Sequence, residues 1–455
     1  MRSIPHCKES RFLFVDAVIE ISDHRCGLPQ QAFFNVAASL IIDRTVKKQQ
    51  MYMEERNRKL AEIFLKAVAA GLGRHEAETV VLSPEEWEEL MDLSIEQSLL
   101  PLVFEAVYRS MPVDLEQKYR GISLAWIYRQ MRDTRIFLDV YRHLTELAIW
   151  PMMIKGILCR DTYPFPECRV SSDEDMYIGQ AEYMPFHKAM LEMGFKAPDP
   201  NFGSDHEMCY ERRGLRIEGH WKLFPQKSRL WERLDVLTAE IRDRAQFIEI
   251  EGNKILMPEP TDHMIYLILH AMKHFALCGV GIRQICDIVQ WDRKYTVDWK
   301  RVKEVITPLG AASFAAAILD AGNRYFDMRI PEGWMPVDSA DLIRDALESG
   351  SFGHSTKDRL HSASITSSDG TGHTIIHNLI RTVFPPRKTL EINFPWAARC
   401  SLLLPAAWGA RIIRYAGNVR KGTSPLASVR IGIRRMKLME EYGVFRTEDE
   451  GIRKD

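Results

Sequence analysis

Two aspartates, Asp173 and Asp175, stand two positions apart at the start of an apolar run, and they constrain this chain more than any other feature. Because alternate side chains of a strand point to the same face, the two carboxylates would lie side by side. Two like charges about 4 Å apart repel by roughly 4 kcal/mol at an effective dielectric near 20. The pair therefore requires a proton, a cation or open water. Mg²⁺ is the usual cation when the substrate carries phosphates.

The composition argues against a polyanion-binding or secreted protein. The chain has 455 residues, of which 46% are hydrophobic, enough for two or three domains. A formal net charge of −1 gives no overall field toward nucleic acid or an anionic membrane. The eight cysteines are scattered without a CxxC pair, which favours reduced thiols. With neither a secretory signal nor an apolar stretch long enough to span a bilayer, we expect a cytoplasmic protein without stable membrane insertion.

Changes in the hydrophobic period predict an α+β fold, in which a small mixed-sheet core is flanked by N-terminal and C-terminal helical regions. The predicted divisions are a variable N-terminal extension (1–53), a helical region (54–149), an α/β core (150–256), a helical region (257–348), a flexible loop (349–373) and C-terminal helices with a basic tail (374–455). Two interpretations of the extension remain open: translation that starts near Met51, or a variable arm.

Local signals support these divisions. Ser83-Pro84-Glu85-Glu86 is a helix start with a capping box. Five short runs are typical of strands: Trp150–Ile154, Asp175–Ile178, Glu207–Tyr210, Leu215–His220 and Phe247–Ile250. The segment from Met208 to Glu218 is predicted to form a hairpin that turns at Arg213-Gly214.

A third carboxylate, Glu218, lies on a predicted strand with Arg216 and His220 on the same face. If this strand neighbours the aspartate-bearing strand, three acids converge on one cation site, as two-metal phosphoryl chemistry requires. Upstream, Lys155-Gly156 ends a predicted strand that leads into a helix, and would offer free backbone N–H groups and a cation to phosphates. The plainer alternatives are an acidic turn at the aspartates and a salt bridge between Glu218 and Arg216 or Arg213.

The chain resembles a known family in several spaced blocks. Lys155-Gly156, Tyr163-Pro164, Arg169 and the Asp-Glu-Asp block resemble the uncharacterised nucleotidyltransferase family of the polymerase-β-like superfamily. Further matching blocks are Arg216-Ile-Glu-Gly-His-Trp221, Leu269-His270-Ala-Met-Lys-His274 and Ile285-Cys-Asp287. The resemblance covers roughly residues 58–300. It implies a minimal nucleotidyltransferase core that moves a nucleoside monophosphate from an NTP to an acceptor and releases pyrophosphate.

The resemblance also implies residue roles. Asp173 and Asp175 would be ligands of Mg²⁺, with two ions bound beside the NTP and Mn²⁺ as an alternative metal. Glu218 would be the third carboxylate, either as a metal ligand or as the base for the acceptor hydroxyl. Lys155-Gly156 stands where typical superfamily members carry Gly-Ser or Gly-Gly, so Gly156 would form the phosphate-binding turn and Lys155 would supply charge to the triphosphate. Arg169 would either bind phosphate or orient the aspartates by bidentate pairing.

Other histidines and the basic tail are weaker candidates. His270 and His274 have i, i+4 spacing, but Ala-Met-Lys separates them where a zinc protease helix carries its glutamate, so we expect them, with His220, to support the site rather than to bind zinc. The basic segment from Arg411 to Lys437 could contact nucleic acid, although a solvated helix face is favoured. The acceptor is open: a small molecule, a peptide or a protein. The alternatives are a non-catalytic nucleotide-binding or interaction protein on the same scaffold, and a tRNA-directed transferase.

Overall fold

A computed structural model describes residues 56–73, 79–198, 204–226, 229–237, 240–351, 359, 394, 396, 403–410 and 425–444. The chain divides into two compact units, Met1–Ile63 and Phe64–Asp455. In the first unit the described residues, 56–63, are helical. The predicted extension (1–53) and most of the predicted loop (349–373) lie outside the described residues.

One six-stranded mixed sheet forms the centre of the second unit. Its strands are β1 (Met152–Met153), β2 (Glu174–Tyr177), β3 (Glu207–Arg212), β4 (Leu215–His220), β5 (Gln246–Ile250) and β6 (Asn253–Met257). The spatial order is β3-β4-β2-β1-β6-β5. The β2/β4 and β1/β6 pairs are parallel, whereas β1/β2, β3/β4 and β5/β6 are antiparallel. The acid-bearing strands β2 and β4 are therefore direct neighbours, and all four residues of β2 are buried.

The predicted hairpin is confirmed as β3–β4. Arg213 and Gly214 at its turn both have positive φ, 52° and 85°, the conformation that two-residue hairpins prefer because it matches the twist of the strands. A second hairpin, β5–β6, turns in the same way at Glu251 and Gly252, with φ of 47° and 72°. The sequence prediction ended at Ile250 and missed β6.

Helices surround the sheet. The labelled helices are α1 (Pro84–Glu96), α2 (Leu100–Val107), α3 (Val113–Glu146), α4 (Ile157–Arg160), α5 (Tyr183–Glu192), α6 (Arg229–Glu232), α7 (Pro260–Leu277), α8 (Ile282–Lys294), α9 (Trp299–Ile306), α10 (Ala312–Phe326), α11 (Ala340–Ser349) and α12 (Pro425–Glu441). Residues 64–71 and 404–410 are also helical. The capping box predicted at the start of α1 is present, with Ser83 and Glu86 satisfying each other's backbone N–H groups. Within the described residues, no helix combines the length and the apolar character needed to cross a membrane.

Side chains of two helices, α7 and α3, form hydrogen bonds with the backbone around β1. His263 of α7 lies 2.7 Å, from Nε2, from the carbonyl oxygen of Ile154, directly after β1. Tyr141 of α3 donates to the carbonyl of Pro151 and accepts from the N–H of Leu256, at 2.9 and 3.0 Å. These buried side-chain hydrogen bonds join the helices to the backbone of β1 and β6. The residues that follow β1, Lys155 and Gly156, are thereby held in place.

Candidate active site

Asp175 and Glu218 face each other across neighbouring strands. The register of the parallel β2/β4 pair places them directly opposite, so both carboxylates lie on one face of the sheet. Asp175 is only 2% exposed, and the Glu218 side chain is largely buried. Burial and the negative charges of Asp175, Asp173 and Glu207 raise the pKa of Glu218 to about 8. The cluster thus carries more negative charge than it can hold without a proton or a cation.

Lys155 supplies the nearest positive charge. Its Nζ lies 2.9 Å from Oδ1 of Asp175. Burial opposes the charged form of both groups, but their attraction to each other and to further neighbours outweighs it in sum, so the pKa of Lys155 is raised and that of Asp175 is lowered. This ion pair is a consequence of topology: β1 runs antiparallel to β2, which brings the residues just after β1 next to the start of β2.

Asp173 precedes β2 by one residue and is partly exposed. It contributes to the raised pKa of Glu218 and to that of Lys155 through its charge. It therefore lies in the same electrostatic environment as Asp175 and Glu218, at the more solvent-accessible side of the cluster.

The turn at Gly156 is built around Glu174, which the sequence analysis did not single out. As the residue between the two aspartates, Glu174 points away from the acid cluster. Its carboxylate accepts from the Ile157 N–H at 2.8 Å and from the buried Arg160 guanidinium at 2.5 Å. The expectation that this turn offers free backbone N–H groups therefore fails for Ile157, because a buried carboxylate of the protein already occupies that donor.

Gly156 has the backbone conformation that this arrangement needs. Its φ is 59°, and a Cβ at this position would lie 2.1 Å from Oε2 of Glu174. We expect Gly156→Ala to lower the free energy of unfolding by about 2–5 kcal/mol, because backbone strain and a steric clash add. Gly214→Ala is the matched control: φ is 85° but no atom lies within 4 Å of the added Cβ, so it should cost about 1–2 kcal/mol. Urea denaturation of both variants measures the difference, and equal losses would contradict the role of Glu174.

Arg169 forms a buried ion pair with Asp287 of α8. Its Nε and Nη2 donate to the two carboxylate oxygens at 2.9 and 2.6 Å, and the Tyr163 hydroxyl donates to Oδ1 at 2.8 Å. Burial would raise the pKa of Asp287, but Arg169, together with Arg283 and Tyr163, lowers it overall. The interpretation in which Arg169 pairs with the aspartates does not match this geometry, because its two described bonds go to a residue 118 positions later.

His220 lies between two acidic groups. Its Nε2 is 3.4 Å from Asp175 Oδ1 and 3.9 Å from Glu218 Oε2. The ligand atoms of Asp175, Glu218 and His220 lie within 4.8 Å of one another, close enough to hold one metal ion. The residues present therefore fit a divalent cation, since a carboxylate pair with a raised Glu218 pKa is stabilised by positive charge.

His270 and His274 of α7 contact each other, with 3.2 Å between their Nε2 atoms. Burial and the nearby Lys155 hold the pKa of His270 well below its ordinary value, so it is neutral. Lys273, between them, was missed as a candidate. Burial and Lys155 lower its pKa, while the negative charges of Glu207, Asp175 and Glu218 oppose that shift, so Lys273 is electrostatically coupled to the acid cluster. The available signal was a lysine within a strongly apolar helix.

The six-stranded mixed sheet, with acidic side chains on the adjacent strands β2 and β4, is consistent with the nucleotidyltransferase core that the sequence resemblance implies. The model of the family described as uncharacterised nucleotidyltransferase matches residues 83–327, more than half of the chain. The chain therefore belongs to this family, and both the resemblance and the α+β fold class predicted from the sequence are confirmed. No curated protein and no solved structure matches the chain. Family membership indicates a transferase.

Proposed function

We propose that the protein is a Mg²⁺-dependent nucleotidyltransferase that moves a nucleoside monophosphate from an NTP to a hydroxyl acceptor. In this reaction the acceptor oxygen forms a bond to the α-phosphorus, the bond between the α-phosphorus and the bridging oxygen breaks, and pyrophosphate leaves. The observation that carries the proposal is the buried pair Asp175–Glu218 facing Lys155. This repulsive pair needs a proton or a compensating positive charge, and Mg²⁺ bound with an NTP would supply that charge.

Each residue of the acid cluster has a proposed role. Asp173, Asp175 and Glu218 would hold two Mg²⁺ ions, or Mn²⁺ in their place, and the ions would neutralise charge that develops on the phosphates. Glu218 would alternatively accept the proton of the acceptor hydroxyl, once the positive charge of Mg²⁺ bound at the aspartates favours its ionised form. His220, His270 and His274 would lie behind these groups and help to hold them in position without binding the metal ions themselves.

Phosphate binding is proposed for Lys155, Gly156 and Arg169. Lys155 would exchange its contact with Asp175 for the triphosphate once metal ions neutralise the carboxylates. Gly156 would keep the backbone close enough for that approach. Arg169 is 4% exposed and bonded to Asp287, so it would act through the positive potential of its charge.

Metal binding should release a proton from Glu218. Its pKa of about 8 means that the carboxyl is largely protonated near pH 7 without metal, and a cation binds the ionised form. Apparent Mg²⁺ affinity should therefore rise with pH and level off at about pH 9. Calorimetric titrations of Mg²⁺ in buffers of different ionisation enthalpy measure how many protons are released on binding. Glu218→Gln should abolish this release, and release that persists in this variant would contradict the assignment.

The function is tested by incubating the full chain with Mg²⁺ or Mn²⁺, each labelled NTP and a panel of sugar, peptide and protein acceptors. The expected result is pyrophosphate release together with label on one acceptor class. Metal-dependent NTP binding without turnover across the panel would instead favour the non-catalytic alternative. If neither binding nor turnover is found, the proposal is wrong.

The tRNA-directed alternative gains little from the described part of the basic segment. Arg434 pairs with Glu348, and the buried Arg435 donates to the carbonyl groups of Leu277 and Phe275. These two cations hold α12 against α11 and α7 rather than face a polyanion. RNA binding with a steep salt dependence would revive the alternative. A cytoplasmic location is part of the same proposal and rests on the sequence alone.

A further inference from the structure

A second group of metal-ligating side chains lies at the open end of the β3–β4 hairpin. Glu207 and His220 are cross-strand partners in the antiparallel register, and His206 directly precedes β3. The backbone of His206 is also fixed, since its carbonyl accepts from the N–H of Trp221 at 3.0 Å. One ligand atom each from His206, Glu207 and His220 lies within 4.8 Å of the other two. The three side chains therefore sit on one rigid strand pair.

Hydrogen bonds orient His206 toward this group. Its Nδ1 lies 2.6 Å from the Ser204 hydroxyl and 3.2 Å from the Asp205 carboxylate. This leaves Nε2 facing Glu207, at 3.1 Å from Oε2. Metal-binding histidines commonly have one ring nitrogen held by such a partner, which fixes the tautomer and presents the other nitrogen to the metal.

His220 completes the group. It is 4% exposed, and neither of its ring nitrogens makes a hydrogen bond within the described residues. Its Nδ1 lies 3.3 Å from Glu207 Oε2, while Nε2 faces Asp175 at 3.4 Å. Buried polar groups without hydrogen bonds are rare and costly. A cation at Nδ1 would use that lone pair, and the proton on Nε2 would then point to the Asp175 carboxylate.

We propose that His206 Nε2, Glu207 and His220 Nδ1 bind a divalent transition metal such as Zn²⁺, Co²⁺ or Mn²⁺, at a site separate from the acid cluster of Asp173, Asp175 and Glu218. Two imidazoles and one carboxylate suit these ions, whereas Mg²⁺ prefers oxygen ligands. The Glu207 side chain is 27% exposed, which gives an ion a route from solvent. The site goes beyond the proposed transferase function and touches it through His220, which would link the metal to Asp175.

The test is a titration of tag-free, full-length protein with CoCl₂ in a large excess of Mg²⁺ and without nucleotide. We expect one Co²⁺ per chain with visible d–d absorption of nitrogen and oxygen coordination, and a rise in Tm. His206→Asn and Glu207→Gln should each weaken binding at least about 10-fold, and Ser204→Ala roughly 10–100-fold through loss of the His206 orientation. His143→Asn, which alters a half-exposed histidine of α3, should leave binding unchanged.

Several results would overturn the site. They are the absence of saturable visible absorption in the unmodified protein, affinity unchanged in His206→Asn and Glu207→Gln, or a thiolate-to-cobalt charge-transfer band that points to a cysteine. The spectrum of the unmodified protein tests the site even if a variant fails to fold.

Asp173→Asn separates the two proposals. It should impair the Mg²⁺–NTP site but retain Co²⁺ binding, so either proposal can fail without the other.

Discussion

Asp175→Asn is expected to lower pyrophosphate release by at least about 10³-fold, which corresponds to about 4 kcal/mol of transition-state stabilisation. The substitution removes the charge that pairs with Lys155 at 2.9 Å and, in our proposal, a ligand shared by the metal ions. It should also weaken Mn²⁺-dependent NTP binding, since asparagine offers a neutral oxygen. Steady-state assays with whichever acceptor class the panel assay labels, and calorimetry with Mn²⁺ and NTP, provide the measurements.

Asp139→Asn is the matched control, because this aspartate is half-exposed on α3 and pairs only with arginines of the same helix among the described residues. It should leave transfer and nucleotide binding unchanged. The most stringent test of the site assignment is the double variant Asp173→Ala/Asp175→Ala. If it binds metal and NTP as the unmodified protein does, the site is elsewhere.

The second large effect concerns stability. Arg169→Met should lower the free energy of unfolding by about 3–5 kcal/mol, because it leaves the Asp287 carboxylate buried without its partner. Both side chains are almost fully buried, and the loss would leave Asp287 with the hydrogen bond from Tyr163 and the nearby charge of Arg283. The loss should be largest at neutral pH. Since Arg169 lowers the pKa of Asp287, its contribution is present above the ordinary aspartate pKa and declines as the pH falls through the folded-state value.

A double variant separates structural pairing from phosphate binding. Arg169→Met/Asp287→Leu removes both charges, and should recover much of the lost stability because replacing a whole buried pair with apolar groups is often neutral. Urea denaturation of the single and double variants gives the coupling free energy between Arg169 and Asp287. If stability recovers but NTP affinity stays low, Arg169 also serves the triphosphate. A single variant as stable as the original protein would refute the buried-pair account.

The helix start, the hairpin and five of the six strands were predictable because each depends on neighbours in sequence. Ser83 and Glu86 cap a helix within one turn, and Arg213-Gly214 supplies the backbone conformation of a tight turn. The pairing of Asp175 with Glu218 was anticipated only conditionally, since two strands with the right pattern need not be adjacent. The sheet order met that condition.

Other features could not be predicted from local patterns. Alternation predicts that Glu174 faces away from Asp175. It does not predict that Arg160 and the Ile157 N–H donate hydrogen bonds to the Glu174 carboxylate. The partner of Arg169 lies on α8, and the charges of Lys273 and Glu207 act on the acid cluster from two other elements, α7 and β3. Such contacts depend on the packing of helices against a sheet, which spacing along the chain does not encode.

The sequence by itself determined the α+β class and the family, and it pointed to Asp173, Asp175 and Glu218 as candidates, because periodicity, turn residues and spaced motifs are local or additive signals. The tertiary structure alone decided which charges offset one another. It placed Lys155 on Asp175, Asp287 on Arg169, and His220 between Asp175 and Glu207. The physical reason is that electrostatic energy depends on distance and burial, and both are fixed only when the strands and helices pack.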